Sequence, residues 1–495
     1  MKRISDIISG EQIRGWKDGS VITIKAGTGR GKSYFVKNEL YECAKNEGKK
    51  ILMLIHRVNC VNQFKQEIHR DNKDDIIDIM TYQSLDYMHS IGETFDFSGY
   101  EYIVCDEFHY FMSDAAFNRT TDISLNAILG QTDCIRIFMS ATGDYMDRYI
   151  KNFKSVSAIS YELDINYDFV HELKFFHNDE AMVALMKDFI DRGEKAIFFV
   201  QKATKAYKLH MKFKDNSIFN CGESDKHYRY VDKEKMSTIL ADEGFAENIL
   251  ITTSAFDAGV NITTKKHKGV SHIVVDIEDE GVLIQCLGRR RIDNAIDNDG
   301  VVVYIKNINN NRLGGMQVQI NERIKKADCF RDHGNVAYTK KYGRSPDRHA
   351  IVYEEVNEDE TGTVKKLNEL MYYKSLINLA NVQLMIRDGY MSYISSLLGK
   401  KYTIMEEMAE KDSLECYLDS IVGEVMLTLK DRKELIDRLD VKSNGSQLKS
   451  INSLNAAIKE NQLGYLIDAF ETSRTIDGKR KKYKSAWRVL RLVDK

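Results

Sequence analysis

The chain has 495 residues, of which 43% are hydrophobic and 29% are charged, and its formal net charge is −2. This composition is typical of a soluble globular protein, and the net charge excludes a protein that is strongly basic throughout. Because the length exceeds what one hydrophobic core supports, we expect about three domains. A nucleic-acid partner would require a locally basic surface.

The eight cysteines are scattered and include no Cys-x-x-Cys pair, so we expect neither a disulfide framework nor metal-ligand spacing. The first residues lack the apolar core of a signal peptide, and no apolar run reaches membrane-spanning length. We therefore expect a cytoplasmic protein with no membrane contact. The polar, helix-like residues 1–20 carry Gln12 and Trp16. Either could contact a nucleotide base, but a packed Trp and a solvated Gln are the favoured interpretation.

A glycine-rich stretch follows an apolar run over residues 21–24 and precedes Val36, Leu40 and Ala44, which recur at helical spacing. A loop that leads from a strand into a helix N-terminus directs backbone N–H groups and the helix dipole at one small volume, which suits a phosphate. We interpret it as a phosphate-binding loop for a nucleoside triphosphate, in which Lys32 reaches the outer phosphates and Ser33 ligates magnesium. The alternative is a glycine-rich turn with an incidental lysine. The loop consists of Ala26, Gly27, Thr28, Gly29, Arg30, Gly31, Lys32 and Ser33.

Further short apolar runs predict two parallel sheets, because fully buried strands read as continuous apolar segments between helices. The first sheet is predicted from residues 21–24, 51–55, 76–80, 102–105 and 135–139, and the second from residues 196–200, 249–252, 272–276 and 301–305. The second unit has no phosphate loop, so a nucleotide held by the first would be completed across a cleft. Residues 307–311 are polar and turn-like, and apart from a strand at 351–356 the remainder reads as helical.

Two carboxylates, Asp106 and Glu107, directly follow the predicted strand at residues 102–105. At the carboxyl end of a strand in the sheet that carries the phosphate loop, Asp106 can hold the magnesium that bridges two phosphates. Glu107 is then placed to orient and deprotonate the attacking water. The alternative is a solvated acidic pair.

With the phosphate loop and the acidic pair in place, the sequence resembles the superfamily 2 helicases of the DExH type. The residues that carry the resemblance occur in family order: the phosphate loop, residues 56–57 with Gln63 (motif Ia), 81–85 (Ib), 106–109 (II), 140–142 (III), 198–201 (IV), 252–255 with 259–262 (V) and 285–291 (VI). The resemblance implies an α/β fold of two tandem RecA-like parallel-sheet domains and a mainly helical C-terminal domain. We place them at residues 1–160, 161–308 and 309–495, with ATP and Mg²⁺ as cofactors.

The resemblance also implies roles for single residues. His109 and Gln285 would link the two units through the nucleotide, and the motif VI arginines would neutralise charge that develops on the γ-phosphate. The implied catalytic set is Lys32, Asp106, Glu107, His109, Gln285, Arg289 and Arg291; Gly259 and Asn261 would join the nucleotide site, Ser33 and Asp106 would hold the metal, and Arg57, Thr81, Gln83, Thr252 and Thr253 would follow a nucleic-acid backbone.

Motif VI departs from the usual pattern, since Arg291 and Ile292 stand where glycine and arginine are usual. The second arginine of the site is therefore either Arg291, displaced by one position, or absent. The Gly-Arg-x-Arg form is similar to that of viral replication-origin-binding helicases, which favours DNA. Motif Ia also lacks its common proline.

Residues 474–491 combine positive charge with aromatic side chains, which suits contact with a nucleic-acid backbone and bases. A solvated, charged helix face explains the same residues. The C-terminal domain is also a candidate surface for a protein partner.

The leading interpretation is an ATP-dependent DExH helicase that translocates on and unwinds nucleic acid, with a single strand or forked duplex of DNA favoured over RNA. The second is a nucleic-acid-stimulated ATPase that translocates, or remodels protein–nucleic acid complexes, without unwinding. The third is a nucleic-acid-binding scaffold that holds ATP without hydrolysing it, against which Glu107 argues because such a protein has no need of that carboxylate.

Overall fold

The computed structural model describes residues 2–27, 29–56, 58–116, 118, 121–163, 167–253, 262–263, 266–290, 300–343, 351–356, 362–443, 445–476 and 479–492. The chain divides into two compact units, Met1–Tyr402 and Thr403–Lys495. Among the described residues, unit 1 contains two α/β lobes and two long helices, and unit 2 contains three helices and a long β-hairpin.

Lobe 1 is built on a six-stranded parallel sheet in the order β3-β2-β4-β5-β1-β6. Its strands are β1 (Val21–Ala26), β2 (Ile51–Ile55), β3 (Ile77–Thr81), β4 (Tyr102–Asp106), β5 (Ile135–Ser140) and β6 (Ile159–Leu163). Its helices are α1 (Gly10–Arg14), α2 (Lys32–Phe35), α3 (Tyr41–Glu47), α4 (Val58–Arg70), α5 (Tyr82–Ser90), α6 (Tyr110–Ser113), α7 (Thr121–Leu129) and α8 (Asp144–Arg148), with π-helical turns at Val36–Leu40 and Tyr149–Phe153. Because β5 lies between β4 and β1, the ends of these three strands adjoin one another.

Lobe 2 is built on a parallel sheet in the order β7-β12-β11-β8-β10-β9. Its strands are β7 (Val170–Phe176), β8 (Ala196–Val200), β9 (Ser217–Phe219), β10 (Ile249–Thr252), β11 (His272–Asp276) and β12 (Val301–Lys306). Its helices are α9 (Asp179–Asp191), α10 (Ala203–Lys212), α11 (Lys233–Asp242) and α12 (Glu280–Leu287). The predicted parallel-sheet α/β architecture is confirmed in both lobes.

Two long helical segments, α13 (Asn310–Tyr342, kinked where Gly334 leaves the helical conformation with a φ of 77°) and α14 (Glu369–Asp388), pack against both lobes and against each other. Leu313 and Ile320 of α13 lie in the core of lobe 2, whereas Tyr338 lies in the core of lobe 1. The helix α14 reverses this order, because Leu370 and Met371 enter the core of lobe 1 and Val382 and Met385 enter the core of lobe 2. We call α13 and α14 the bracing helices. They are followed by α15 (Tyr390–Leu398), and a hairpin of β13 (Val352–Val356) and β14 (Thr363–Leu367) connects them.

The polar segment 307–311, predicted as a turn, contains the start of α13 instead. Asn309 is the N-cap of this helix, and its side chain accepts a hydrogen bond from the backbone N–H of Arg312. Asparagine is a favoured N-cap because its side chain satisfies a free N–H of the first turn. A polar run of this kind is therefore compatible with a turn and with a helix start.

Unit 2 begins within β15 (Tyr402–Ile404) and continues with α16 (Met405–Ser420), α17 (Lys433–Leu439), β16 (Lys442–Ser443), β17 (Ser446–Gln447), α18 (Ile451–Glu460), β18 (Tyr465–Ile476) and β19 (Lys479–Arg491). Its core contains Leu418, Leu435, Leu454, Trp487 and Val489. The helical interpretation of residues 474–491 is wrong, since these residues belong to the antiparallel β18–β19 hairpin. From Trp487 to Leu490, the buried Trp487 and Val489 alternate with half-buried residues, which is the two-residue period of a strand.

Within the described part of the chain, no helix is long and apolar enough to cross a membrane.

Candidate active site

The phosphate loop lies between β1 and α2, as the motif predicts. Gly29 and Gly31 adopt left-handed φ angles of 80° and 84°, which favour glycine. Gly31 is the N-cap of α2, which continues through the π-helical turn into α3. Thr28, also assigned to this loop, lies outside the described residues.

The side chain of Lys32 is held inside the loop and is only 9% exposed. Its Nζ donates a hydrogen bond to the carbonyl of Ala26 at 3.0 Å and lies 3.6 Å from Oε1 of Glu107. The ammonium group is therefore directed from the phosphate loop toward the acidic pair at the end of β4. Ser33, the next residue of the same helix, is exposed.

The acidic pair lies where β4 ends, and the backbone there is strained. Glu107 has a φ of 49°, in the left-handed region that non-glycine residues seldom adopt. The following N–H, of Phe108, donates to the carbonyl of Met139 on β5 at 3.2 Å. Strain of this kind persists only where the surroundings fix the backbone, and it concentrates at functional sites.

The two carboxylates differ in their electrostatics. Burial, followed by the charge of Glu107, raises the pKa of Asp106 to about 7. Burial also disfavours ionised Glu107, but Lys32, His109 and Arg289 outweigh it and hold its pKa well below the usual range. The Oδ1 atom of Asp106 is buried and accepts no hydrogen bond from the described residues. A divalent cation would supply the positive partner that this oxygen lacks.

His109 joins lobe 1 to lobe 2 directly. Its Nδ1 lies 2.8 Å from Oγ of Ser140 and 3.3 Å from Oε2 of Glu107. On the other side of the ring, the amide of Gln285 donates to Nε2 at 2.7 Å, and the same amide lies 3.4 Å from Oγ1 of Thr142. A continuous hydrogen-bonded chain therefore runs from Glu107 to the helix α12 of lobe 2.

Arg289 is the described arginine of motif VI that belongs to this site. It is buried, and its Nε donates to the carbonyl of Gln285 at 3.1 Å. Its positive charge is one of the causes of the low pKa of Glu107, so the guanidinium acts across the gap between the lobes. Arg290, by contrast, donates from Nε to the carbonyl of Val270 within lobe 2. Arg291 lies outside the described residues.

Several contacts of this site were not assigned from the sequence. Ser140 and Thr142 were recognised only as parts of motif III, although both belong to the chain of hydrogen bonds around His109. Tyr82, within motif Ib, donates its hydroxyl to the carbonyl of Asp106 at 2.9 Å and stacks on Tyr110. The motif spacing locates these residues, but only the folded structure gives their partners.

The bracing helix α14 reaches the same region. The side-chain amide of Asn381 donates to the hydroxyl of Tyr145 in lobe 1 and to Oε2 of Glu280 in lobe 2, both at 2.9 Å. The hydroxyl of Tyr393 donates to the same Glu280 oxygen at 2.7 Å. Glu280 is the first residue of α12, the helix that carries Gln285. No feature of the sequence identified this network.

The predicted nucleic-acid residues have different environments. Thr81 caps α5 through a hydrogen bond from the N–H of Ser84 at 3.1 Å, and Gln83 is exposed. Thr252 is fully buried and accepts a hydrogen bond from Asn220, and Thr253 is also buried. Their contact with a nucleic acid stays a prediction. Arg57, Gly259 and Asn261 lie outside the described residues.

Trp16 and Gln12, the two residues considered for contact with a nucleotide base, each have a hydrogen-bond partner nearby in the chain or in lobe 1. Trp16 is buried and donates from Nε1 to the hydroxyl of Tyr161 at 3.2 Å. Gln12 is exposed, and its Oε1 accepts a hydrogen bond from the N–H of Ser9 as part of a capping box. These contacts agree with the interpretation of Trp16 as a packed residue and of Gln12 as a solvated one.

Residues 3–144 match the model of the ResIII family, described as the type III restriction enzyme res subunit. No curated protein matches the chain. Among solved structures, Dbp5 of S. cerevisiae bound to RNA and ADP–BeF3 is 19% identical, with a TM-score of 0.45, over 60% of this chain and 82% of that one.

Two further solved structures are similar. The DEAD-box helicase Mss116 bound to ssRNA and UDP–BeF is 14% identical, with a TM-score of 0.44, over 62% of this chain and 69% of that one. A DEAD box protein from the hyperthermophile Methanococcus jannaschii is 16% identical, with a TM-score of 0.33, over 58% of this chain and 82% of that one.

The DExH subdivision and the viral similarity stay predictions. The match over residues 3–144 confirms the predicted resemblance to superfamily 2 helicases, and with it the prediction that the chain is an ATP-hydrolysing enzyme.

Proposed function

We propose that the chain is an ATP-dependent nucleic-acid motor of the DExH helicase type that acts on DNA. The observation that carries the proposal is the hydrogen-bonded chain from Glu107 through His109 to Gln285. It connects the carboxylate proposed to activate water with the helix of the opposite lobe. A group that contacts both lobes at this point can couple hydrolysis to relative movement of the lobes.

The phosphates of ATP would bind at the left-handed glycines of the loop, where Lys32 is buried and directed toward the acidic pair. Ser33 and Asp106 would hold Mg²⁺, and the unbonded Oδ1 of Asp106 fits this assignment. Bound there, the metal would neutralise charge on the phosphates. A low pKa keeps Glu107 ionised, so it can accept a hydrogen bond from the attacking water and orient it.

Arg289 would supply positive charge to the γ-phosphate from lobe 2, because its charge already acts on Glu107 across the gap. Such a group contributes about 10³-fold or more to phosphoryl transfer. Arg291 is the proposed second arginine of the site, and Gly259 and Asn261 are proposed to contact the nucleotide. Arg57, Thr81, Gln83, Thr252 and Thr253 are the proposed nucleic-acid residues.

The choice of nucleic acid rests on the Gly-Arg-x-Arg form of motif VI, which favours DNA. The solved structures of Dbp5 and Mss116 were bound to RNA, so RNA is the alternative ligand that the assay must include. The alternative function, a translocase that does not unwind, shares the same ATPase site. A forked-duplex unwinding assay separates the two functions.

The test compares ATP hydrolysis by wild type and Glu107→Gln, with and without single- and double-stranded DNA and RNA. Loss of the carboxylate base predicts a fall in kcat of about 10²–10⁴-fold. Nucleotide binding, measured with a fluorescent ATP analogue, should persist because the phosphate loop is unchanged. The control Glu93→Gln alters an exposed residue of lobe 1 and should have no effect. Turnover that survives Glu107→Gln, or that no nucleic acid stimulates, would contradict the proposal.

A further inference from the structure

The β18–β19 hairpin consists of a packed half and a free half. Near its base, Ile467 pairs with Val489 and both residues lie in the core of unit 2. The register shifts between Phe470 and Thr472, and the strands then continue to the tip. No residue from 472 to 475 or from 479 to 484 is buried. We call these residues the distal ribbon.

The distal ribbon carries six positive side chains: Arg474, Lys479, Arg480, Lys481, Lys482 and Lys484. No ion pair joins any of them to a carboxylate of the described residues. In the packed half, by contrast, Arg488 pairs with Asp468 at 2.8 Å and Arg491 pairs with Asp419 at 3.2 Å. The basic residues of one hairpin therefore differ: those near the core are neutralised, and those of the distal ribbon are not.

The charges occupy both faces of the distal ribbon. Arg474 lies directly opposite Lys481 on one face, while Arg480 and Lys482 lie opposite Thr475 and Ser473 on the other. Like charges directly opposite each other destabilise an antiparallel pair. These side chains lie outside the core and form no ion pair with the described residues, so the cation–π contact of Lys481 with the ring of Tyr483, at 5.4 Å, offsets only part of that cost. A polyanionic ligand would offset the rest.

From this arrangement we propose that the distal ribbon binds duplex DNA, lying in the major groove with its basic faces toward the phosphates on both sides. The major groove of B-DNA, about 12 Å wide, admits a two-stranded ribbon, whereas the major groove of A-form RNA is deep and narrow. A single strand laid along one face would leave the charges of the other face unpaired. The distal ribbon also has a single aromatic residue, Tyr483, whereas single-strand sites stack successive bases on several aromatics.

This site is additional to the motor and rests on the proposed function only in taking DNA as its ligand. The test uses the full chain without ATP, and measures anisotropy of a labelled 20-base-pair DNA duplex across a salt series. The triple variant Arg480→Gln/Lys481→Gln/Lys482→Gln removes three charges of the distal ribbon. The control Lys411→Gln/Lys449→Gln/Lys459→Gln removes three exposed charges elsewhere in unit 2.

Each lost phosphate contact lowers the slope of log K against log salt concentration by about 0.9, so we expect the ribbon variant to lose up to about 3 in slope. We also expect at least tenfold weaker duplex binding, and no change for the control. The same measurement on duplex RNA and single-stranded DNA should show weaker binding by wild type and a smaller effect of the variant. Equal binding by the two variants would overturn the proposal, as would duplex RNA bound as tightly as duplex DNA.

Basal ATP hydrolysis, measured without nucleic acid, is the readout that separates this proposal from the motor. The ribbon variant should keep wild-type basal hydrolysis and the melting temperature of the control. Duplex binding by a chain that hydrolyses no ATP would refute the motor and leave the ribbon proposal intact. Normal hydrolysis without ribbon-dependent duplex binding would refute the ribbon and leave the motor.

Discussion

Replacing Asn381 by alanine should destabilise unit 1 by an amount that its two hydrogen bonds determine. The amide of Asn381 donates to the neutral hydroxyl of Tyr145 and to the carboxylate of Glu280, both at 2.9 Å. A neutral hydrogen bond contributes about 1 kcal/mol, and one to a charged group about 1.5–3 kcal/mol. The variant Asn381→Ala should therefore lose about 2.5–4 kcal/mol of the free energy of unfolding.

The expected change in melting temperature follows from the size of the unit. At about 2.1 cal/mol/K per residue, the unfolding entropy of the 402-residue unit converts this loss into a decrease of about 3–5 °C. Differential scanning calorimetry measures it. Because Glu280 begins the helix that carries Gln285, the variant should also lower kcat for ATP more than it changes KM.

The matched control is Gln383→Ala, which truncates an exposed amide on the same helix. It should leave both the melting temperature and kcat unchanged. If Asn381→Ala melts within 1 °C of the wild type, or if both variants lose stability equally, then the contact between α14 and the two lobes does not stabilise the unit. The reasoning from hydrogen-bond geometry would then be refuted.

Two further predictions concern the space around two glycines and the titration of Glu280. A Cβ at Gly143 would lie 2.5 Å from the buried ring of Phe108, so Gly143→Ala should lower the free energy of unfolding by about 1–3 kcal/mol. A Cβ at Gly314, in α13, would meet no atom within 4 Å, so Gly314→Ala should raise the free energy of unfolding by about 1 kcal/mol. Urea unfolding measures both changes, and two changes of the same sign would contradict the prediction. Burial, the largest cause, and Asp279 raise the pKa of Glu280 above 4.5 despite the hydrogen bond from Tyr393, so the folded state binds the proton more tightly, and stability should fall as pH rises from about 4.5 through the folded pKa. Glu280→Gln should remove this decrease, and urea titrations with the same pH dependence for both proteins would count against the assignment.

Much of the fold could be predicted because buried parallel strands have a simple sequence pattern. The runs at residues 196–200, 249–252 and 272–276 coincide with β8, β10 and β11, since every residue of such a strand faces apolar neighbours. The edge strand β6 was missed because four of its five residues are exposed or half-buried, so no apolar run marks it. Residues 479–484 are nearly all charged, so they show no alternation of apolar and polar side chains. Without that alternation, the sequence was equally compatible with a helix and with a strand.

The candidate site shows the same division. Lys32 and Glu107 could be selected because the chemistry of each is tied to a local motif. The contact between His109 and Gln285 joins residues 176 positions apart, and the pairing of Asn381 with Glu280 depends on how α14 packs. Motif order predicts which groups belong to a site, but not which groups contact one another.

The shared cores have a consequence for synthesis on the ribosome. The last strand of lobe 1 ends at Leu163, yet Leu370 and Met371, which complete its core, follow about 200 residues later. At a translation rate of about 5–20 residues per second, synthesis of these residues takes about 10–40 s, and during this time part of the apolar surface of lobe 1 is exposed. During that interval the nascent chain is a client for chaperones, and the first lobe completes its core only after the second has been translated.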